Sequence, residues 1–168
     1  MRALVVGGGC RGLDLARALT ADGHAVRVVT RRPEARADIE AAGAECFPGD
    51  PDVFGTLRYA LDNVTVLLWL LGTATGPAEK VAALHGSRLR MMLSRTTDTT
   101  VRGVVYEAAG TVGPEVLAAG VEEMRHARRT NEIPYALLET GRDDGAAWVR
   151  AARGAIDTVL SAPRGAPD

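Results

Sequence analysis

Residues 1–32 constrain this chain more than any other stretch. An apolar run over 2–6 meets a glycine turn at 7–12, then a helical segment over 13–22 with Leu15 and Leu19 on one face. A second apolar run over 25–29 follows and ends in Thr30-Arg31-Arg32. The pattern predicts strand, turn, helix, strand. Gly7, Gly9 and Gly12 fit G-x-G-x-x-G, in which the first glycine turns the chain sharply, the second lets backbone approach a pyrophosphate and the third lets helix pack on strand. The first amides of the helix then face the phosphates. Three glycines in six residues would only weaken a purely structural turn, so the spacing predicts a dinucleotide site.

The remaining chain continues the alternation. Helices are expected over 33–42, with Pro33 in the first turn and Gly43 as C-terminal cap, and over 52–61, where Val53, Leu57 and Leu61 recur at helical spacing. Short strands are expected over 44–47 and 133–139, the second tolerating Pro134 only near its start. The continuously apolar run 64–71 has the character of a central parallel strand covered on both faces, and its following loop, 72–76, should meet the ligand. Helices over 77–97 (broken near Gly86), 114–129 and 146–160 and a strand over 101–106 complete the pattern. The expectation is an α/β fold: a doubly wound parallel sheet of about six strands in three αβα layers, Rossmann-like, with ligand at the carboxyl ends of the strands. Residues 1–160 are expected to form a single domain, and 161–168 a flexible tail.

A net charge of -1 gives no general attraction to nucleic acid or to an anionic membrane. The apolar run 64–71 is far shorter than the ~18 to 20 residues of a membrane helix. Cys10 and Cys46 have no paired spacing, and no secretory leader is legible, so a cytoplasmic location is expected. His24, His85 and His126 are isolated, and no metal site is expected.

Val5-Val6-Gly7-Gly8-Gly9-Cys10-Arg11-Gly12-Leu13-Asp14-Leu15, followed by the run from Ala25 to Glu34, resembles the opening of the NAD(P)-dependent epimerase/dehydratase branch of the short-chain dehydrogenase/reductase superfamily. Weaker likeness continues through Gly49-Asp50, Leu71-Gly72-Thr73 and Val101 to Tyr106. The resemblance covers the nucleotide-binding part. It implies that Asp50 contacts the adenine, and that Gly72 and Thr73, with Leu71 beside them, border the ribose and nicotinamide. It also implies a Tyr-x-x-x-Lys pair at the start of the helix after the fifth strand, yet 114–129 contains neither Tyr nor Lys, and the lysine of the middle region, Lys80, lies elsewhere.

Thr30-Arg31-Arg32 stands where an NAD site places an acid for the ribose hydroxyls and an NADP site places arginine for the 2′-phosphate. Two guanidiniums there favour NADP(H) over NAD(H), and Arg11 offers a third positive group. Gly7, Gly9, Cys10, Arg11, Gly12, Thr30, Arg31, Arg32, Asp50, Leu71, Gly72 and Thr73 are the expected cofactor residues. Cys10 could be activated by helix amides or simply fill the turn. Tyr106, as proton donor, and Thr111, as carbonyl polariser, are the catalytic candidates, with Glu107 and Glu139 near the same rim. Two functions fit: a small NADPH-dependent reductase whose acceptor takes its proton from water, or a non-catalytic nucleotide-binding regulator or subunit joined to a protein partner or a second copy. A domain binding S-adenosylmethionine is a weaker alternative.

Overall fold

The computed structural model describes residues 1–141 and 143–163. Six strands, β1 (Arg2–Gly7), β2 (Ala25–Thr30), β3 (Glu45–Pro48), β4 (Val66–Leu70), β5 (Gly103–Glu107) and β6 (Tyr135–Leu138), alternate with six helices. These are α1 (Gly9–Ala21), α2 (Arg36–Ala41), α3 (Ala78–His85), α4 (Ser87–Thr96), α5 (Pro114–Asn131) and α6 (Gly145–Ser161). All pairings are parallel, in the order β3-β2-β1-β4-β5-β6. The chain therefore reverses its direction of winding between β1 and β4, which is where a doubly wound sheet opens a crevice at its carboxyl edge.

The central strands are apolar because both faces are covered. Ala3, Val5, Leu68, Leu70 and Val105 point into one core with Leu15 and Leu19 of α1 and Trp148 and Ile156 of α6. Leu4, Val6, Leu67, Trp69, Val104 and Tyr106 point into the other, with Leu89 and Met92 of α4 and Met124 of α5. Alternation of side chains along each strand makes the two layers. Trp69 also donates its indole N–H to the Leu84 carbonyl (3.1 Å), tying α3 to that second face.

Several expected boundaries move. Helix α1 starts at Gly9 rather than at residue 13, because Gly8 is already its cap, with φ +87°, and Gly12 lies inside its first turns. The expected helix over 33–42 divides into a 3-10 turn, Pro33–Ala35, and α2. The expected helix over 52–61 is a correction of substance: only a 3-10 turn, Phe54–Leu57, forms, and Val53 is 54% exposed. Thr56 accepts from the Asp50 N–H (2.8 Å) and donates to the Val53 carbonyl (2.7 Å), while the Arg27 guanidinium donates to the Ala60 carbonyl (2.7 Å). Thr56 thus takes the Val53 carbonyl, which a helix would have paired internally, and Arg27 anchors the end of the segment. The break near Gly86 is present, with Gly86 at φ −113° and ψ −101° between α3 and α4. Of the expected tail, Ser161 ends α6, and residues 164–168 lie outside the described residues.

Candidate functional site

Gly7, Gly8 and Gly9 adopt φ +85°, +87° and +52° in succession, a run that side-chain-bearing residues would resist by about 1–2 kcal/mol each. Gly8 donates its N–H to the Leu70 carbonyl (2.6 Å), pinning the turn to β4, and a Cβ on Gly7 would come 2.5 Å from that same oxygen. Gly12 seats the helix on the turn, since its Cβ would fall 2.8 Å from the Gly7 carbonyl oxygen. A Cβ on Gly9 would meet nothing within 4 Å. Gly9 therefore faces open space over the helix start, the place a pyrophosphate would take.

That space is the head of a cleft of about 630 Å³ running along the carboxyl ends of β1, β2, β3 and β4. Nine of the expected cofactor residues line it together: Gly7, Gly9, Cys10, Thr30, Arg31, Arg32, Asp50, Leu71 and Thr73. Thr30 shapes the lip, its hydroxyl accepting from the Arg32 N–H (3.1 Å) and its carbonyl from the Gly49 N–H (2.9 Å). Arg31 and Arg32 are exposed, and neither has a carboxylate partner among the described residues. Asp50 turns one carboxylate oxygen to the Asp52 N–H (2.9 Å), which sets the loop opposite.

Three expected cofactor residues lie off the cleft. Gly12 is under the turn, as described. The Arg11 guanidinium sits instead against the start of α6, where a Cβ on Gly145 would be 1.9 Å from its Nη1. Asp144, the N-cap of α6, accepts from the Ala147 N–H, which holds its carboxyl below the usual range, with Arg11 contributing more weakly. Gly72 is buried between loops: its N–H donates to Glu107 (2.8 Å), and its carbonyl accepts from Val112 N–H (3.0 Å). A Cβ on Gly72 would fall 2.1 Å from the Ala109 carbonyl oxygen, so no side chain fits there.

The catalytic candidates are not in the cleft lining. Tyr106 is fully buried on the α3–α5 side of β5, its hydroxyl 2.6 Å from His85 Nδ1 and 3.2 Å from the Leu117 carbonyl oxygen. His85 Nε2 lies 3.2 Å from the Leu71 carbonyl, which places the ring proton on Nε2. Burial, with the Glu107 charge adding to it, pushes the Tyr106 phenol well above its ordinary range, opposite to what a proton donor at neutral pH needs. Alternation along β5 explains the placement: Val105 faces one core and Tyr106 the other, so neither points up at the edge. Thr111 is exposed in the turn after β5, and Glu139 is exposed after β6. Glu107 is fully buried and accepts from Gly72 N–H and the Trp148 indole N–H (3.2 Å), a tie between loops and α6.

The cleft also holds residues that the motif could not reveal. Asp38 of α2, Asp52, Lys80 and Val81 also line it. No sequence signal links Asp52 to Lys80; the strand order brings their segments together. Among the described residues, no group of three or more His, Cys, Asp or Glu stands close enough to hold a metal, and no helix is long and apolar enough to cross a membrane.

The model of the pyridine nucleotide-disulphide oxidoreductase family matches residues 2–46, the stretch from β1 into β3. Similar solved structures include UDP-glucuronic acid 4-epimerase from Bacillus cereus in complex with NAD, at 13% identity and a TM-score of 0.67, over 84% of this chain and 56% of that one. The fold is Rossmann-like. The Bordetella bronchiseptica enzyme WbmG in complex with NAD is similar at 18% identity and a TM-score of 0.66, over 83% of this chain and 52% of that one. Vestitone reductase from alfalfa follows at 16% and 0.62, over 82% and 56%. The chain spans about half the length of these structures. None of the curated proteins matches the sequence.

Proposed function

We propose that the cleft binds NADP(H), with the pyrophosphate over Gly9 and the 2′-phosphate between Arg31 and Arg32. The observation that carries this reading is the arginine pair: two exposed guanidiniums at the end of β2, lining the cleft, without a carboxylate partner among the described residues. Bidentate guanidinium contacts suit a phosphate dianion, whereas an NAD site would use an acid at this point to accept from both ribose hydroxyls. Two of the similar structures hold NAD, so the preference for NADP(H) rests on this chain's own lip. Parallel titrations with NADPH and NADH test it, and a competition with S-adenosylmethionine tests the remaining nucleotide class.

Residues 1–160 act in this reading as one nucleotide-binding domain. As a small reductase, the protein would orient an acceptor such as a flavin, a quinone or a conjugated carbonyl compound against the cofactor, and water would supply the proton. The burial of Tyr106 favours a second reading, a non-catalytic NADP(H)-binding regulator or subunit, because the phenol expected to donate a proton is spent inside the core. NADPH oxidation with a panel of those acceptors separates the two. Turnover with any of them supports the reductase, and complete inactivity alongside tight binding sinks it.

A further inference from the structure

Asp52, on the connection after β3, carries two cations. Its carboxylate oxygens lie 3.2 Å from Lys80 Nζ of α3 and 3.4 Å from Arg88 Nε of α4. Its side chain is only 19% exposed, while that of Lys80 is 61% exposed. The Lys80 contact, opposed by partial burial and reinforced by Arg88, holds the Asp52 carboxyl below its usual range. Asp52 and Lys80 both line the cleft, and Arg88 does not.

One carboxylate needs one partner. With Arg88 in place, Lys80 can leave without stranding a partly buried negative charge, the outcome that makes breaking an ion pair expensive. The exposed Lys80 contact contributes little, as exposed pairs generally do. Helix energetics do not account for the lysine either, because Lys80 stands in the first turn of α3, where the macrodipole disfavours a cation. A flexible ammonium with three donors, loosely held on a cleft wall, is well suited to capturing a phosphate as a point charge.

We propose that Lys80 is a third phosphate-reading cation of the cleft, exchanging Asp52 for a phosphate of the nucleotide while Arg88 stays behind to neutralise Asp52. This rests on the NADP(H) reading and adds to it a residue outside the glycine turn and the arginine lip. It also makes Asp52 a competitor of the ligand, which sets the signs of its mutational effects. Lys80→Gln should raise the Kd for NADPH about tenfold, the scale of one charge-assisted contact, and Lys80→Arg should recover most of it. Asp52→Asn frees Lys80 and should lower the Kd about threefold, and Arg88→Gln, outside the cleft, should raise it about threefold by leaving Lys80 as the sole partner of Asp52.

Calorimetric titration of the full chain and these four variants with NADPH and NADH tests the exchange, with thermal melts verifying that each variant is folded. Opposite signs for Lys80→Gln and Asp52→Asn uphold it. A loss confined to NADPH puts Lys80 on the 2′-phosphate, and equal losses for both dinucleotides put it on the pyrophosphate. If Lys80→Gln and Asp52→Asn weaken binding alike, the pair is a fixed strap, and the exchange is wrong. No change in either variant contradicts it equally. A wild-type chain that binds neither dinucleotide overturns the NADP(H) reading itself, an outcome distinct from any pattern among variants of a chain that binds.

Discussion

The two halves of the sheet's carboxyl edge, built from the same alternation of strand and helix, end very differently. Over β1, β2 and β3 the edge is open: consecutive left-handed glycines, bare space above Gly9, and two arginines without acidic partners among the described residues. Around β5 it is closed, with Gly72 fitted against Ala109 and Gly110, Glu107 tied to Gly72 and Trp148, and Tyr106 bonded to His85. In the open half the guanidiniums of Arg31 and Arg32 have no carboxylate partner among the described residues, whereas Glu107, Tyr106 and His85 in the closed half are satisfied by other groups of the chain. The same residue types therefore carry opposite expectations, binding on one side and stability on the other.

Four substitutions can break or sharpen that contrast. Gly9→Asp should have the largest effect, abolishing dinucleotide binding by setting a carboxylate where the pyrophosphate belongs, while the open space around the position limits the stability loss to the ~1–2 kcal/mol of a left-handed side chain. Calorimetry and a thermal melt read the two halves of this statement, and retained affinity would remove the pyrophosphate from this turn. Arg31→Ala with Arg32→Ala should weaken NADPH about 100-fold, roughly 3 kcal/mol for two charge-assisted contacts, and leave NADH nearly unchanged. Equal losses would show that the lip does not read the 2′-phosphate.

The closed half should respond in stability alone. Gly120→Ala places a Cβ 2.0 Å from the Tyr106 hydroxyl oxygen and should cost about 1–3 kcal/mol by overpacking, seen as an earlier urea midpoint, with NADPH affinity in the folded protein within about twofold. The smallest effect is on pH dependence. Burial lowers the pKa of His85 below its ordinary 6.5, so the folded protein holds the ring neutral while the unfolded chain protonates it. The unfolded state then binds more protons as pH falls through 6.5, and stability declines on that acid side. His85→Gln should flatten that slope in melts across this range; an unchanged slope would assign it to other groups.

Much of the open half was legible in the sequence because backbone geometry, and not side-chain packing, builds it. Two of the three glycines at fixed spacing, Gly7 and Gly9, take left-handed backbone between two apolar runs, and nine expected residues meet in one cleft. The parallel sheet followed from continuous apolar runs such as 66–70, buried on both faces. What escaped depended on partners distant in the chain. The 52–61 segment carries a helical stripe, yet Thr56 takes the Val53 carbonyl and Arg27, from β2, holds the Ala60 carbonyl. Strand alternation turns Tyr106 into the core against His85 and away from the carboxyl edge. Arg11 adjoins the glycine turn in sequence but reaches the start of α6, which nothing local announces. Asp52 and Lys80 have no motif at all, and only the strand order brings them to one wall.

The account turns on whether the open half holds a nucleotide with a 2′-phosphate. Calorimetric titration of the purified, nucleotide-stripped chain with NADPH and NADH in parallel tests it most directly. One site per chain, with NADPH bound about 100-fold more tightly than NADH, is the predicted result. Equal affinities, or a preference for NADH, would contradict the reading of Arg31 and Arg32, and binding of neither would reduce the glycine turn to a structural joint between β1 and α1.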